Sequence, residues 1–132
     1  MRIVADTNIL VRAITGDDPV QTPLAQKLLG EATLVAIPPT TLCELTWVLG
    51  RTYKIAKRDV ALAIRTLIAG DNVAIDGPAV EAGLGLLEAG GDFGDGLIAH
   101  EGKWLGGETF ASFDRTAIAL LAAQGEATLL PG

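Results

Sequence analysis

Cysteine occurs once in the 132 residues, as Cys43, so no disulfide within the chain staples the fold and nothing asks for an oxidising compartment. Long apolar runs are missing too: no stretch of 18 apolar residues occurs, which excludes a membrane-spanning helix. Met1 to Val4 has no basic segment leading into a long apolar one, so no secretory signal is expected and a cytoplasmic protein is. Basic charge is scarce. Ten Lys and Arg stand against sixteen Asp and Glu, a net charge of −6. That excludes a chain that grips phosphates through a net basic surface. If nucleic acid is the partner, a local basic patch or a bound divalent cation must attract it. What is abundant is apolar side chain, 49% of the residues. That is too much for a disordered chain, and at this length enough to bury a core without cross-links. One domain over residues 1–132 is expected.

Along the chain, short β-like runs alternate with longer helix-like ones. Strands are expected at Arg2 to Ala5, Thr33 to Ile37, Asn72 to Ile75, Thr109 to Ser112 and Ala127 to Leu130. Helices are expected at Asn8 to Ile14, from Asp18-Pro19 to about Leu29, Leu42 to Arg51, Arg58 to Ala69, Pro78 to Ala89, Phe93 to about Glu101 and Arg115 to Gln124. Asp18 followed by Pro19 reads as an N-cap with proline at the first helical position. The alternation predicts an α/β fold, a mainly parallel sheet sandwiched by helices.

In such sheets ligands bind beyond the carboxyl ends of the strands. Asp6 follows the first strand and Asp114 the fourth, and Glu44 lies near the start of the helix after the second. Asp92 and Asp95 open another helix, three residues apart and so on one face. Of these, only Asp114 has a basic neighbour in sequence, Arg115. Each acid also has a local reading. Asp6 and Asp114 suit helix caps, Thr41 and Glu44 form the spacing of a capping box, and Asp92 and Asp95 complement a helix dipole. Together, acids crowded at one rim repel one another, and hard cations such as Mg²⁺ or Mn²⁺ want such oxygen ligands.

Four segments carry a resemblance: IVADTNILVRAI at 3–14, IPPTTLCELTWVL at 37–49, GDFGDGLIAH at 91–100 and TFASFD at 109–114. In this order they resemble the PIN domain, and more narrowly its VapC-type ribonuclease toxins of toxin–antitoxin pairs. The resemblance implies a Mg²⁺- or Mn²⁺-dependent endoribonuclease whose catalytic, metal-holding quartet is Asp6, Glu44, Asp95 and Asp114, with Asp6 and Asp95 foremost as ligands. Asp92 is then a nearby fifth acid, and Thr7, Asn8 and Ser112 orient the carboxylates by hydrogen bonds. It further implies cleavage to a 5′-phosphate and a 3′-hydroxyl, a homodimer, and a cognate antitoxin that blocks the site. Two positions depart from the family pattern. Gly96 replaces a usual Ala, which is expected to loosen that helix start, and Ser112 replaces a usual Thr but keeps the hydroxyl.

The remaining chemistry-bearing residues read more plainly. His100, five residues after Asp95 on one helix, points about 140° away around the axis and is not expected to take part. Cys43 has no His or Lys beside it and reads as a small buried thiol. Trp47 and Trp104 read as core or dimer contacts before base-stacking groups. Arg51, Lys54, Lys57, Arg58 and Arg65, interrupted by Asp59, form the one basic stretch. It reads as a solvated helix surface, or more sharply as an RNA-backbone or antitoxin contact. Two other activities fit poorly. A haloacid-dehalogenase-type phosphatase needs an Asp where Asn8 stands, and a receiver domain needs an acidic pair and a late Lys that are absent. The rival outside enzymology is a PIN-like module whose carboxylates serve only assembly.

Overall fold

The computed structural model describes residues 1–132, which divide into two units, Met1–Asp76 and Gly77–Gly132. The first unit runs β1 (Arg2–Val4), α1 (Thr7–Thr15), α2 (Gln21–Glu31), β2 (Leu34–Ala36), α3 (Pro39–Arg51), α4 (Lys57–Ile68) and β3 (Val73–Ala74). Its three strands pair in the order β1-β2-β3, both ladders parallel, with Ile3 opposite Val35 and Val35 opposite Val73. Strands joined this way need a crossover, and the helices between them supply it. Val35 and Ile37 from the middle of the sheet are buried, as are Leu10 and Val11 of α1, Leu42, Leu45 and Leu49 of α3, and Val60 and Ile64 of α4.

Local chemistry sets the helix ends. Asp6 caps α1, its Oδ1 accepting from the Thr7 N–H at 2.8 Å, and Gly16 closes it with φ of 64°, a conformation glycine adopts without cost. The regular part of α2 begins at Gln21, two residues later than expected. The cap is nevertheless at Asp18: its Oδ1 accepts from Val20 N–H at 2.9 Å and Gln21 N–H at 2.7 Å, and its carbonyl accepts from Thr22 N–H. At the other end of α2, Asn72 Nδ2 donates to the carbonyls of Leu29 and Ala32, satisfying acceptors the helix leaves open. Helix α3 starts one turn earlier than expected, with Pro39 in its first turn. Thr41 therefore lies inside the helix, and the capping-box reading of Thr41 and Glu44 is corrected.

The second unit runs α5 (Gly77–Glu88), α6 (Phe93–Trp104), β4 (Phe110–Ala111), α7 (Arg115–Ala123) and β5 (Thr128–Leu129). Strands β4 and β5 form a second parallel ladder, Phe110 opposite Thr128. Helices α5 and α6 pack closely, through glycines. A methyl group on Gly83 would lie 2.5 Å from the Phe93 ring, and one on Gly96 would run into the carbonyl oxygen of Ala82. Gly96 is buried. It does not loosen the start of α6, as expected from sequence. It is the contact that brings α6 against α5, because an alanine there has no room. The parallel α/β architecture expected from the alternation is the one observed, with shorter strands.

Candidate metal centre

In the second unit, three acids from two segments meet. Asp92 is the N-cap residue of α6, Asp95 lies in its first turn, and Asp114 is the N-cap residue of α7. One carboxylate oxygen from each lies within 4.8 Å of the other two. The close packing at Gly96 fixes the turn that carries Asp95, and the Ser112 hydroxyl accepts from the Asp114 N–H at 2.9 Å, fixing the backbone before α7. Asp114 Oδ1 caps α7, accepting from Thr116 and Ala117 N–H groups at 3.0 and 3.1 Å. The carboxylate's other oxygen takes no part in the cap. Asp92 makes no such cap bond. Asp92 and Asp114 are exposed and Asp95 is half-buried. Two unit charges at 4 Å repel by about 1 kcal/mol in water, more where solvent is partly excluded. Three carboxylates this close make a site of hard oxygen donors that fits Mg²⁺ or Mn²⁺.

In the first unit, the Thr7 hydroxyl, buried at the start of α1, donates to Glu44 Oε2 at 2.8 Å. This bond joins residues 37 apart in sequence and orients the Glu44 carboxylate on the second turn of α3 beside the helix that Asp6 caps. Glu44 keeps an exposed side chain, and Asn8 is exposed on the first turn of α1. Of the quartet expected from sequence, Asp6 and Glu44 lie in the first unit and Asp95 and Asp114, with Asp92, in the second.

A polar network of the first unit was not foreseen. Arg12 pairs with Asp17 at 3.1 Å, and Asp17 also accepts from the hydroxyls of Thr15 and Tyr53, both at 2.8 Å. The Thr15 and Tyr53 bonds, with Arg12, hold the Asp17 carboxyl below the usual range. The Gln21 and Val20 N–H groups do the same for Asp18. Tyr53 lies 36 residues from Asp17, so no local pattern announces the pairing. The tryptophans also differ from expectation. Trp47 is 61% and Trp104 82% exposed, so neither belongs to the core. The Arg51 guanidinium sits 5.5 Å from the centroid of the Trp47 ring, an i, i+4 pair that sequence spacing allowed. His100 and Cys43 are half-buried. The second unit also has an open cleft of about 230 Å³ between Ile98, Lys103, Phe110 and Glu126, and none of the five acids lines it.

Against known families, the PIN domain model matches residues 3–122, and the chain belongs to the PIN domain family. PIN domains are generally nucleases that act on RNA and typically use divalent metal ions, which agrees with the donor set at Asp92, Asp95 and Asp114. No curated protein matches the chain.

Proposed function

We propose that this protein is a Mg²⁺- or Mn²⁺-dependent endoribonuclease, the toxin of a VapC-type toxin–antitoxin pair, acting in the cytoplasm as one catalytic domain over residues 1–132. The observation that carries the reading is the triad of carboxylates at Asp92, Asp95 and Asp114, in a chain of a nuclease family. Asp6, Glu44, Asp95 and Asp114 are the proposed catalytic residues and metal ligands. Asp92 stands beside Asp95 and Asp114, and Thr7, Asn8 and Ser112 are proposed to orient the carboxylates. The Thr7 bond to Glu44 and the Ser112 bond before Asp114 support those roles.

A divalent ion held at Asp92, Asp95 and Asp114 would supply an activated water and screen the phosphate charge. The chain's part is to hold the carboxylates still. A side chain fixed by a hydrogen bond or a helix cap needs no rearrangement when substrate binds. Overall, water adds its oxygen to phosphorus, the bond from phosphorus to O3′ breaks, and a proton from the water ends on the leaving O3′. The products are a 5′-phosphate and a 3′-hydroxyl. A homodimer and an antitoxin that covers the acids complete the proposal.

Asp6→Asn and Asp95→Asn are each expected to cut metal-dependent RNA cleavage by orders of magnitude while circular dichroism stays that of the parent. Expression of the parent is expected to arrest growth, with rescue by the neighbouring small open reading frame. A second reading, a PIN-like module without catalysis, is favoured by the caps that Asp6 and Asp114 form. Parent protein that cleaves no RNA in Mg²⁺ or Mn²⁺ decides for it.

A further inference from the structure

The exposed face of α3 consists of Thr40, Glu44, Trp47 and Arg51, at spacings of four, three and four. These residues therefore form one stripe along the helix. From Glu44 to Arg51 it runs about 10 Å at the helical rise of 1.5 Å per residue. Trp47 stands one turn beyond Glu44, with its ring largely open to solvent and Arg51 against it. Lys54 follows at the end of the helix with φ of 58°, a left-handed conformation that glycine takes more readily, and Arg58 is exposed on α4. Arg51, Lys54, Lys57 and Arg58 are four of the ten basic residues of the whole chain, gathered within eight positions. On an acidic protein this is the densest run of basic charge.

We propose that Trp47, Arg51 and Lys54 form a subsite for single-stranded RNA flanking the position of Glu44: a base stacks on the Trp47 ring, and the adjoining phosphates lie on Arg51 and Lys54. An open indole next to a guanidinium is the combination that holds a single strand without reading its sequence, because every base has a π face and every linkage a charge. Arg51 also fixes the ring by lying against one face, so little side-chain freedom is lost on binding. The indole contributes by stacking and the cations by releasing counterions, and the two contributions separate experimentally. The subsite rests on the nuclease reading for its role, since it places the strand beside a catalytic carboxylate, but its binding is measurable without cleavage.

The test is binding of a short fluorescein-labelled single-stranded RNA in EDTA, followed by anisotropy, alongside cleavage in Mn²⁺. Trp47→Ala is expected to weaken binding about tenfold, the size of one base stack, and Trp47→Phe much less. Arg51→Gln and Lys54→Gln are each expected to lower the slope of log K against log salt by about 0.7, the value for one phosphate on a single strand. In Trp104→Phe protein, where Trp47 is the remaining indole, RNA is expected to quench the fluorescence saturably. The proposal is overturned if folded Trp47→Ala and Arg51→Gln bind and cleave RNA as the parent does. It is equally overturned if these variants only turn a dimer into a monomer in sedimentation, which assigns the stripe to a second copy of the chain. Cleavage by the parent together with unaltered variants refutes the subsite alone. RNA binding that needs Trp47, without cleavage in any metal, refutes the nuclease reading alone.

Discussion

A carboxylate that caps a helix commits one oxygen to backbone N–H groups and keeps the other for a second partner, so capping and metal binding are compatible at Asp114. Asp17 and Asp18 show what purely structural carboxylates do in this chain. Hydrogen bonds from Thr15 and Tyr53, with Arg12, depress the carboxyl of Asp17, and the Gln21 and Val20 N–H groups depress that of Asp18. A group whose folded pKa lies below its unfolded value, about 3.9 for Asp, stabilises above that value, and the stabilisation is lost as pH falls through the folded pKa. Stability of the parent is therefore expected to fall below about pH 4 more steeply than that of Asp17→Asn with Asp18→Asn. Urea midpoints between neutral and strongly acidic pH measure this, and parallel curves for the two proteins count against it. Which acids do which work was only partly legible. Asp6, Asp18 and Asp114 were readable as caps because a cap is local. Glu44 was not readable as the partner of Thr7, because that bond spans 37 residues.

At the scale of elements, the most consequential residues carry no side chain. Gly83 and Gly96 let α5 and α6 approach until the Phe93 ring and the Ala82 carbonyl fill the space a methyl would need. Since Asp95 precedes Gly96 on the same turn, the packing of this helix pair and the placing of the carboxylate are one feature. Gly96→Ala gains helix propensity yet forces the backbones apart. Its expected outcome is a loss of about 1–3 kcal/mol, the usual cost of overpacking, with weaker metal binding than is left by Gly102→Ala, where an added methyl meets nothing. Chemical denaturation of both variants checks it, and equal stability of Gly96→Ala and the parent refutes the close-packing account. The sequence located every strand and helix because apolar periodicity and the Gly, Pro and Asp punctuation are local signals. It misjudged Gly96 because a close approach between helices leaves no trace in the residue itself. It set the start of α3 a turn late because the helix opens on Pro39, a residue that inside a helix would break it.

For the whole molecule, a net charge of −6 sets the terms on which the proposed nuclease would meet nucleic acid: acids proposed to hold a cation, and a single basic stretch from Arg51 to Arg58. The positions of Asp6, Asp92, Asp95 and Asp114 were legible because each follows a strand or opens a helix, whereas the exposure of Trp47 and Trp104 was not, since an apolar ring is by default assigned to a core. Carboxylates gathered at Asp92, Asp95 and Asp114 are expected to repel without a cation and so to lower the stability of the metal-free protein, and an ion that binds only the folded chain is expected to raise it. At a free metal concentration 100 times Kd the gain is about 2.7 kcal/mol, several degrees in melting temperature for a domain of this size. Removing one charge is expected to lessen both effects. Asp95→Asn is expected to melt at or above the parent in EDTA, to respond less to Mn²⁺, and to cleave no RNA. Melting curves of the two proteins in EDTA, Mg²⁺ and Mn²⁺ measure all but the last of these. A parent indifferent to saturating Mn²⁺, or an Asp95→Asn variant markedly less stable than the parent in EDTA, identifies these acids as supports of the α6 and α7 helix ends and refutes the metal centre.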